Sequence, residues 1–265
     1  MRNHEPRHSR ERSPQRSGVP VRYGILSDIH SNLEALETAL DAVKEVDILV
    51  SPGDVVGYGP NPNECCDLIR EKNAVIVLGN HDAAVVGSMS LDWFNPFARD
   101  AAEWTQRRLT PANRAFLEGL PLIHRSEHFV MVHAALSLPE QFDYITSAWE
   151  AGPTFAEMQA ETLCLIGHTH LAEFYTQRIG ELGSDQISMA AGGSIELRPE
   201  FRYVVNCGSV GQPRDYNPNL SIGIYDTESR TVEIRRLDYP VGVVQEKMRA
   251  EGLPEPLWRR LEFGV

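Results

Sequence analysis

The sequence predicts an α/β fold in which a largely parallel sheet packs against a second, mostly antiparallel sheet, with helices flanking the sandwich. Three observations carry that expectation. Up to residue 171, short apolar runs alternate with amphipathic helical stretches, as in βαβ units. The runs are rich in Val and Ile, which suits strands buried on both faces. Beyond residue 171 come strand-length stretches at 172–179, 185–190, 202–206, 220–225 and 231–238, joined by polar turns such as Ala191-Gly192-Gly193-Ser194.

The elements follow in order. Tyr23–Leu26 is a strand. Ser31 and Glu34 then suggest a capping box for a helix with Leu33, Leu36, Leu40 and Val43 inward and Glu34, Glu37, Asp41 and Lys44 outward. Asp47–Val50 is the next strand, residues 62–71 a second short helix, and Ala74–Leu78 a third strand. Residues 83–125 read as a helical insertion with breaks at Asn95-Pro96 and Thr110-Pro111. Trp93, Phe94, Phe97 and Trp104 in it are expected to form a satellite core, the alternative being a lid over substrate. Strands at Phe129–Val132 and Leu163–Ile166 complete the alternating part.

Composition narrows the functional classes. The 265 residues carry 37 Asp and Glu against 25 Lys and Arg, a net charge of −12, and 42% are hydrophobic, which excludes a collagen, a coiled coil or a wholly disordered chain. The length suits a single domain over 21–265. Residues 1–20 sum to +3, are rich in Arg, Ser and Pro, and read as a disordered basic tail; the rest carries −15. That acidic body argues against long nucleic acids and anionic membranes, and no apolar stretch approaches the roughly 18 residues of a membrane helix. Cys65, Cys66, Cys164 and Cys207 form no CxxC pair, so reduced thiols and a cytoplasmic location are expected.

The chemistry lies in the turns. Each alternating strand runs into a polar segment: Ser27-Asp28-Ile29-His30, Ser51-Pro52-Gly53-Asp54, Gly79-Asn80-His81-Asp82, His133, and Gly167-His168-Thr169-His170. In such sheets ligands bind beyond the carboxyl ends of the strands, so these segments are expected to converge. Asp28 and His30, and again His168 and His170, are two residues apart; on an extended chain both members of a pair face one side and reach one metal ion. Five of the nine histidines (His30, His81, His133, His168 and His170) fall in these turns. Carboxylate and imidazole together suit Mn, Fe, Zn, Co or Ni.

This ordered set resembles the five motifs of the calcineurin-like metallophosphoesterases, and within them the small bacterial phosphodiesterases of the YfcE type. The stretch Cys207-Gly208-Ser209-Val210-Gly211-Gln212-Pro213-Arg214 resembles their late glycine–serine turn. The resemblance implies a four-layer αββα sandwich of two mixed sheets flanked by helices, the metallophosphatase fold. It implies two divalent metal ions (Mn favoured among Mn, Fe, Ni, Co, Zn and Mg). One would be held by Asp28, His30, Asp54 and His170, the other by Asp54, Asn80, His133 and His168, with a shared hydroxide attacking phosphorus in line. Asn80, His81 and Arg214 would bind substrate, and His81 would act catalytically, steadying a phosphoryl oxygen or protonating the leaving alkoxide. Asp82 reads as an orienting residue, and Tyr58 as loop packing rather than pocket lining.

Departures from neighbouring branches narrow the expected activity. Serine/threonine phosphatases of the superfamily, and the related diadenosine tetraphosphate hydrolases, place arginines shortly after the Gly-Asp and the Asn-His. Gly53-Asp54-Val55-Val56 and Asn80-His81-Asp82-Ala83 offer neither. A phosphodiesterase for small phosphodiesters, nucleotides among them, is the first expectation, with no membrane or long nucleic acid as partner. A phosphomonoesterase or dinucleotide polyphosphate hydrolase comes second, and a non-catalytic binding scaffold is the remote alternative.

Overall fold

The computed structural model describes residues 19–265, so the basic tail expected over 1–20 lies, but for its last two residues, outside the described residues. Two six-stranded sheets pack face to face. The first contains β1 (Arg22–Ile25), β2 (Ile48–Ser51), β3 (Val75–Ile76), β9 (Gly193–Glu196), β11 (Leu220–Asp226) and β12 (Thr231–Leu237), in the order β3-β2-β1-β11-β12-β9. The second contains β4 (Ile123–Arg125), β5 (Val130–Val132), β6 (Leu163–Ile166), β7 (Ala172–Arg178), β8 (Ser184–Ser188) and β10 (Phe201–Cys207), in the order β4-β5-β6-β10-β7-β8.

Both sheets are mixed. β1, β2 and β3 run parallel, as do β5, β6 and β10, and every other pairing is antiparallel. The early strands therefore do not make one sheet and the late strands another. β11 returns to pair with β1, Arg22 opposite Asp226, and β10 inserts between β6 and β7.

Period-two burial builds the layers. Along β6, Leu163 and Leu165 face the core between the sheets, while Cys164 and Ile166 face the outer core beneath α6 (Gly152–Glu157). Along β11, Leu220, Ile222 and Ile224 face the other outer core. That core is covered by α1 (Leu33–Ala42), α2 (Pro62–Glu71), α3 (Asn80–Val86), α4 (Pro96–Arg108), α5 (Pro111–Glu118), α7 (Val241–Ala250) and α8 (Glu255–Arg259). Each fully buried Leu, Ile or Phe contributes about 2 kcal/mol, so all three cores matter. No helix among the described residues is long and apolar enough to cross a membrane.

Local chemistry shifts several expected boundaries. Asn32, not Ser31, caps α1: its side chain accepts from the Ala35 N–H, while Ser31 sits in the left-handed region at φ 54°. Glu34 turns from solvent to pair with Lys247 of α7. The breaks at Asn95-Pro96 and Thr110-Pro111 are helix starts, with Asn95 and Thr110 as side-chain caps and the prolines at the first helical position. The insertion is not helical to its end, since Ile123–Arg125 is the edge strand β4. Its aromatics divide. Trp104 is buried in the main outer core, whereas Trp93 is 82% exposed and Phe97 is exposed as well.

Candidate metal centre

The five polar turns meet at one end of the sandwich, where the carboxyl ends of β1, β2 and β3 from one sheet approach those of β5 and β6 from the other. Backbone hydrogen bonds stitch the turns together. Asp28 N–H donates to Gly53 O, His30 N–H to Asp54 O, and Gly167 N–H to His133 O, at 3.0, 3.0 and 2.8 Å. Asp28, His30, Asp54, His168 and His170 all adopt positive φ, between 49° and 71°. Such backbone costs energy and concentrates at sites where geometry is held by its surroundings. The pairs Asp28/His30 and His168/His170 do converge, but through left-handed turns rather than the extended segments expected from their spacing.

All seven residues expected to ligate are brought together, each buried. Asp28, His30 and His170 form one group. His170 Nε2 lies 3.4 Å from Asp28 Oδ1 and 3.0 Å from His30 Nε2. Asp54, His133 and His168 form another, with His133 Nε2 3.2 Å from His168 Nδ1 and 3.1 Å from Asn80 Oδ1. Asp54 Oδ2 stands between them, 3.5 Å from His30 Nε2 and 3.3 Å from His133 Nε2, buried and without a hydrogen-bond partner. Its other oxygen accepts the His81 N–H at 2.9 Å.

The tautomers follow from the acceptors. Nδ1 of His30 faces Val56 O at 3.1 Å, that of His133 faces Pro52 O at 2.9 Å, and that of His170 faces Gln212 O at 2.6 Å. A carbonyl only accepts, so each Nδ1 carries hydrogen and each Nε2 turns inward. This is how ligating histidines are usually oriented. Without a cation between them, the His30 and His170 lone pairs would oppose each other at 3.0 Å. The donor set therefore fits divalent metal ions: bare imidazole nitrogens, two carboxylates and an amide oxygen around an orphaned carboxylate atom.

The electrostatics agree. Burial drives His30, His168 and His170 well below the ordinary imidazole range, which keeps them neutral. Burial pushes the Asp28 carboxyl up to about 6, against the pull of His133. At Asp54 burial is outweighed by His133, His81 and His30, which hold the carboxyl well below its usual range. At His133 burial is outweighed by Asp54, which lifts the imidazole to about 9. A positive charge is thus favoured where His133, Asp54 and Asn80 meet.

Residues behind the candidate ligands fix this geometry. Asp82 accepts from the backbone N–H groups of Val55, Val56 and Gly79, tying the Asp54 turn to the start of α3. Gly79 permits that approach, because a Cβ there would lie 2.0 Å from Asp54 Oδ1. The turn after β10 is the chief support that sequence reading matched only loosely. Ser209 Oγ donates to Asp28 O at 2.8 Å, Gly211 N–H donates to the same oxygen, and Gln212 supplies the His170 acceptor. Asn206 was missed altogether; its amide donates to Gly167 O at 2.6 Å and Thr169 Oγ1 at 2.9 Å.

His81 borders the two groups and lines a cavity of about 520 Å³ together with Asn80 and His168. Burial, with Arg214 and His133 adding to it against Asp54, pushes its imidazole down to about 4. Tyr58 does more than pack the loop. It lines the same cavity, its ring lies 4.6 Å from His30 and 4.3 Å from His81, and its hydroxyl accepts from Arg214 at 3.2 Å. Its φ of 56° aims it inward, a turn conformation that residue type alone does not signal. Arg214 is half-buried, held by Tyr58 and Gln212, and no carboxylate among the described residues lies within ion-pair distance of it. Trp93 and Phe94, expected in the satellite core or lid, also line the cavity, as do Phe142 and Tyr144, which carry no periodic or motif signal.

Known proteins are similar to this chain over nearly its whole length. A protein of Methanocaldococcus jannaschii named MJ0912, itself uncharacterized, is 37% identical over 248 residues, spanning 91% of this chain and 97% of its own. The crystal structure of a metallophosphoesterase from Sphaerobacter thermophilus is 36% identical, covers 93% of this chain and 100% of its own, and superposes with a TM-score of 0.81. Hypothetical protein PH1004 from Pyrococcus horikoshii shares the fold at 18% identity and a TM-score of 0.76, over 92% of this chain and 99% of its own. Residues 21–230 match the calcineurin-like phosphoesterase superfamily domain. A match of that extent, over turns that assemble as described, settles descent: the chain belongs to the calcineurin-like phosphoesterase superfamily, whose members are metal-dependent phosphoric ester hydrolases.

Proposed function

We propose that this protein is a dinuclear metal-dependent phosphodiesterase acting on small phosphodiesters. The observation that carries the reading is the position of Asp54 Oδ2, unpartnered between His30 of one donor group and His133 of the other. Asp28, His30, Asp54 and His170 would hold one ion; Asp54, Asn80, His133 and His168 would hold the other. Two divalent ions held there acidify water and offset phosphoryl charge, with Mn the first choice to assay.

The chain's own residues supply the rest. His81, kept neutral by burial, has one N–H to donate to a phosphoryl or leaving oxygen at the cavity floor. Arg214 is oriented by Tyr58 and Gln212 and supplies a guanidinium not spent on a carboxylate. An uncharged ester group is favoured over a polyphosphate leaving group by charge. The cavity is lined by Glu140 and Asp143 and by no Lys or Arg, so negative charge on the group that enters it would be repelled. The unpaired, buried cysteines suit a cytoplasmic setting.

The test is hydrolysis of bis(p-nitrophenyl) phosphate and of p-nitrophenyl phosphate by protein loaded with Mn, Co, Ni, Zn or Mg. Turnover of the diester at higher kcat/KM than the monoester is expected. Absence of diester turnover with every metal would overturn the proposal.

A further inference from the structure

We propose that the cavity beside the metal centre is a leaving-group slot that selects a flat, uncharged aromatic or heteroaromatic ester group; this rests on the phosphodiesterase reading above. Aromatic rings surround the site histidines on the cavity side. Phe94 meets His81 edge-on at 4.7 Å, Phe142 meets His133 at 5.9 Å, and Tyr144 stacks on His168 at 4.0 Å with 30° between the planes. They come from two separate segments, the insertion and the turn over 138–144, which line one cavity and share a small apolar cluster where Met89 packs near Phe142. The second segment holds Leu138 and Phe142 at φ 52° and 53°, conformations that persist only where the surroundings enforce them.

Two of the rings are open to a ligand. Trp93 is 82% exposed and Tyr144 56% exposed, and both line the cavity. Neither exposure is explained by packing, and each ring presents apolar surface to whatever enters. The volume, about 520 Å³, falls within the roughly 300–1,000 Å³ of small-molecule sites. The charges set the second preference. Glu140 and Asp143 lie on the lining without a cationic residue beside them, so a ligand group carrying its own anion is repelled. The slot takes the leaving group because His81, the donor assigned to the phosphoryl or leaving oxygen, lies on its wall.

The test is calorimetric binding to the Mn-loaded full chain, with three phosphinates that cannot be hydrolysed: the monoanionic benzyl(methyl)phosphinate and methyl(propyl)phosphinate, and the dianionic (4-carboxybenzyl)(methyl)phosphinate. The benzyl compound is expected to bind about tenfold more tightly than the propyl compound, a usual worth for aromatic contact. Trp93→Ala and Tyr144→Ala together should cut that advantage below about threefold, and both residues are exposed enough for the variant to fold. The carboxybenzyl compound should bind about fivefold more weakly than the benzyl compound, and Glu140→Gln with Asp143→Asn should remove that penalty. Equal affinities for benzyl and propyl, or an advantage intact in the double variant, would overturn the slot. The aromatic advantage without turnover of any diester would instead sink the phosphodiesterase reading and leave the slot standing.

Discussion

At the scale of single residues, the histidines divide by what their Nδ1 atoms do. His30, His133 and His170 donate Nδ1–H to backbone carbonyls and turn Nε2 inward, whereas His81 has a buried Nδ1 with no partner. Two predictions follow from that division. His81→Ala should still bind two metal equivalents by elemental analysis, yet lose roughly 10²–10³ in kcat, the usual worth of a positioned proton or hydrogen-bond donor. Asp54→Ala should retain far less metal, because it removes the one carboxylate that faces both groups; two full equivalents in that variant would refute its bridging role. Protonation gives a third. Metal must displace protons from its ligands. His133, lifted to about 9, is protonated at pH 7.5 in the metal-free protein, while Asp28, at about 6, is mostly ionised. Mn uptake at pH 7.5 should therefore release about one proton, and affinity should rise with pH, most steeply below 6 where Asp28 also competes. Calorimetry in buffers of differing ionisation enthalpy reads that proton; no buffer dependence would contradict the assignment. The candidate ligand residues were legible in sequence because each is a chemically distinctive type at the end of an apolar run. Asn206 and Tyr58 were not, because their roles depend on contacts with turns 37 and 23 residues away, respectively, at Thr169 and His81.

At the scale of elements, the turns are held by groups that touch no substrate. Asp82 is the clearest, a fully buried acceptor for three backbone N–H donors from two turns. Asp82→Ala would strand those donors and should cost about 3 kcal/mol or more by denaturant unfolding, with weakened metal binding as a consequence. Gly57 holds a similar position beside His81. It sits at φ 98°, and a Cβ there would lie 2.6 Å from His81 Nδ1, so a side chain would displace the ring. Of the strands with strong apolar runs, Leu163–Ile166 was legible to the residue; those expected at Tyr23–Leu26, Asp47–Val50 and Phe129–Val132 shift or shorten by one residue, and Ala74–Leu78 shortens to Val75–Ile76. β9 was hidden because it begins inside the Gly192-Gly193 turn, and β4 because three residues, Ile-His-Arg, carry almost no alternation. The α1 cap was misplaced by a single residue, since Ser31 and Asn32 are both good caps and only the left-handed backbone at Ser31 decides between them.

At the scale of the whole molecule, the sandwich was legible but its strand allocation was not. Periodicity reports which strands are buried, and says nothing of a β1–β11 pairing that joins residues 22 and 226. The consequence is functional. Because β1 to β3 and β5 to β6 lie in different sheets, the centre sits where two layers meet, and His168 N–H of one sheet's turn donates to the Asp28 carboxylate of the other's. Metal should therefore clamp the sandwich. At a hundredfold excess over Kd each site adds about 2.7 kcal/mol, so chelation should lower Tm by roughly 5–20 °C, reversibly on adding Mn. The most direct test of the whole account is titration of metal-free protein with Mn²⁺ while bis(p-nitrophenyl) phosphate turnover and bound metal are measured together. Turnover is predicted to rise until two equivalents are bound and then level off. Saturation at one equivalent, or two bound equivalents with no turnover, would contradict it.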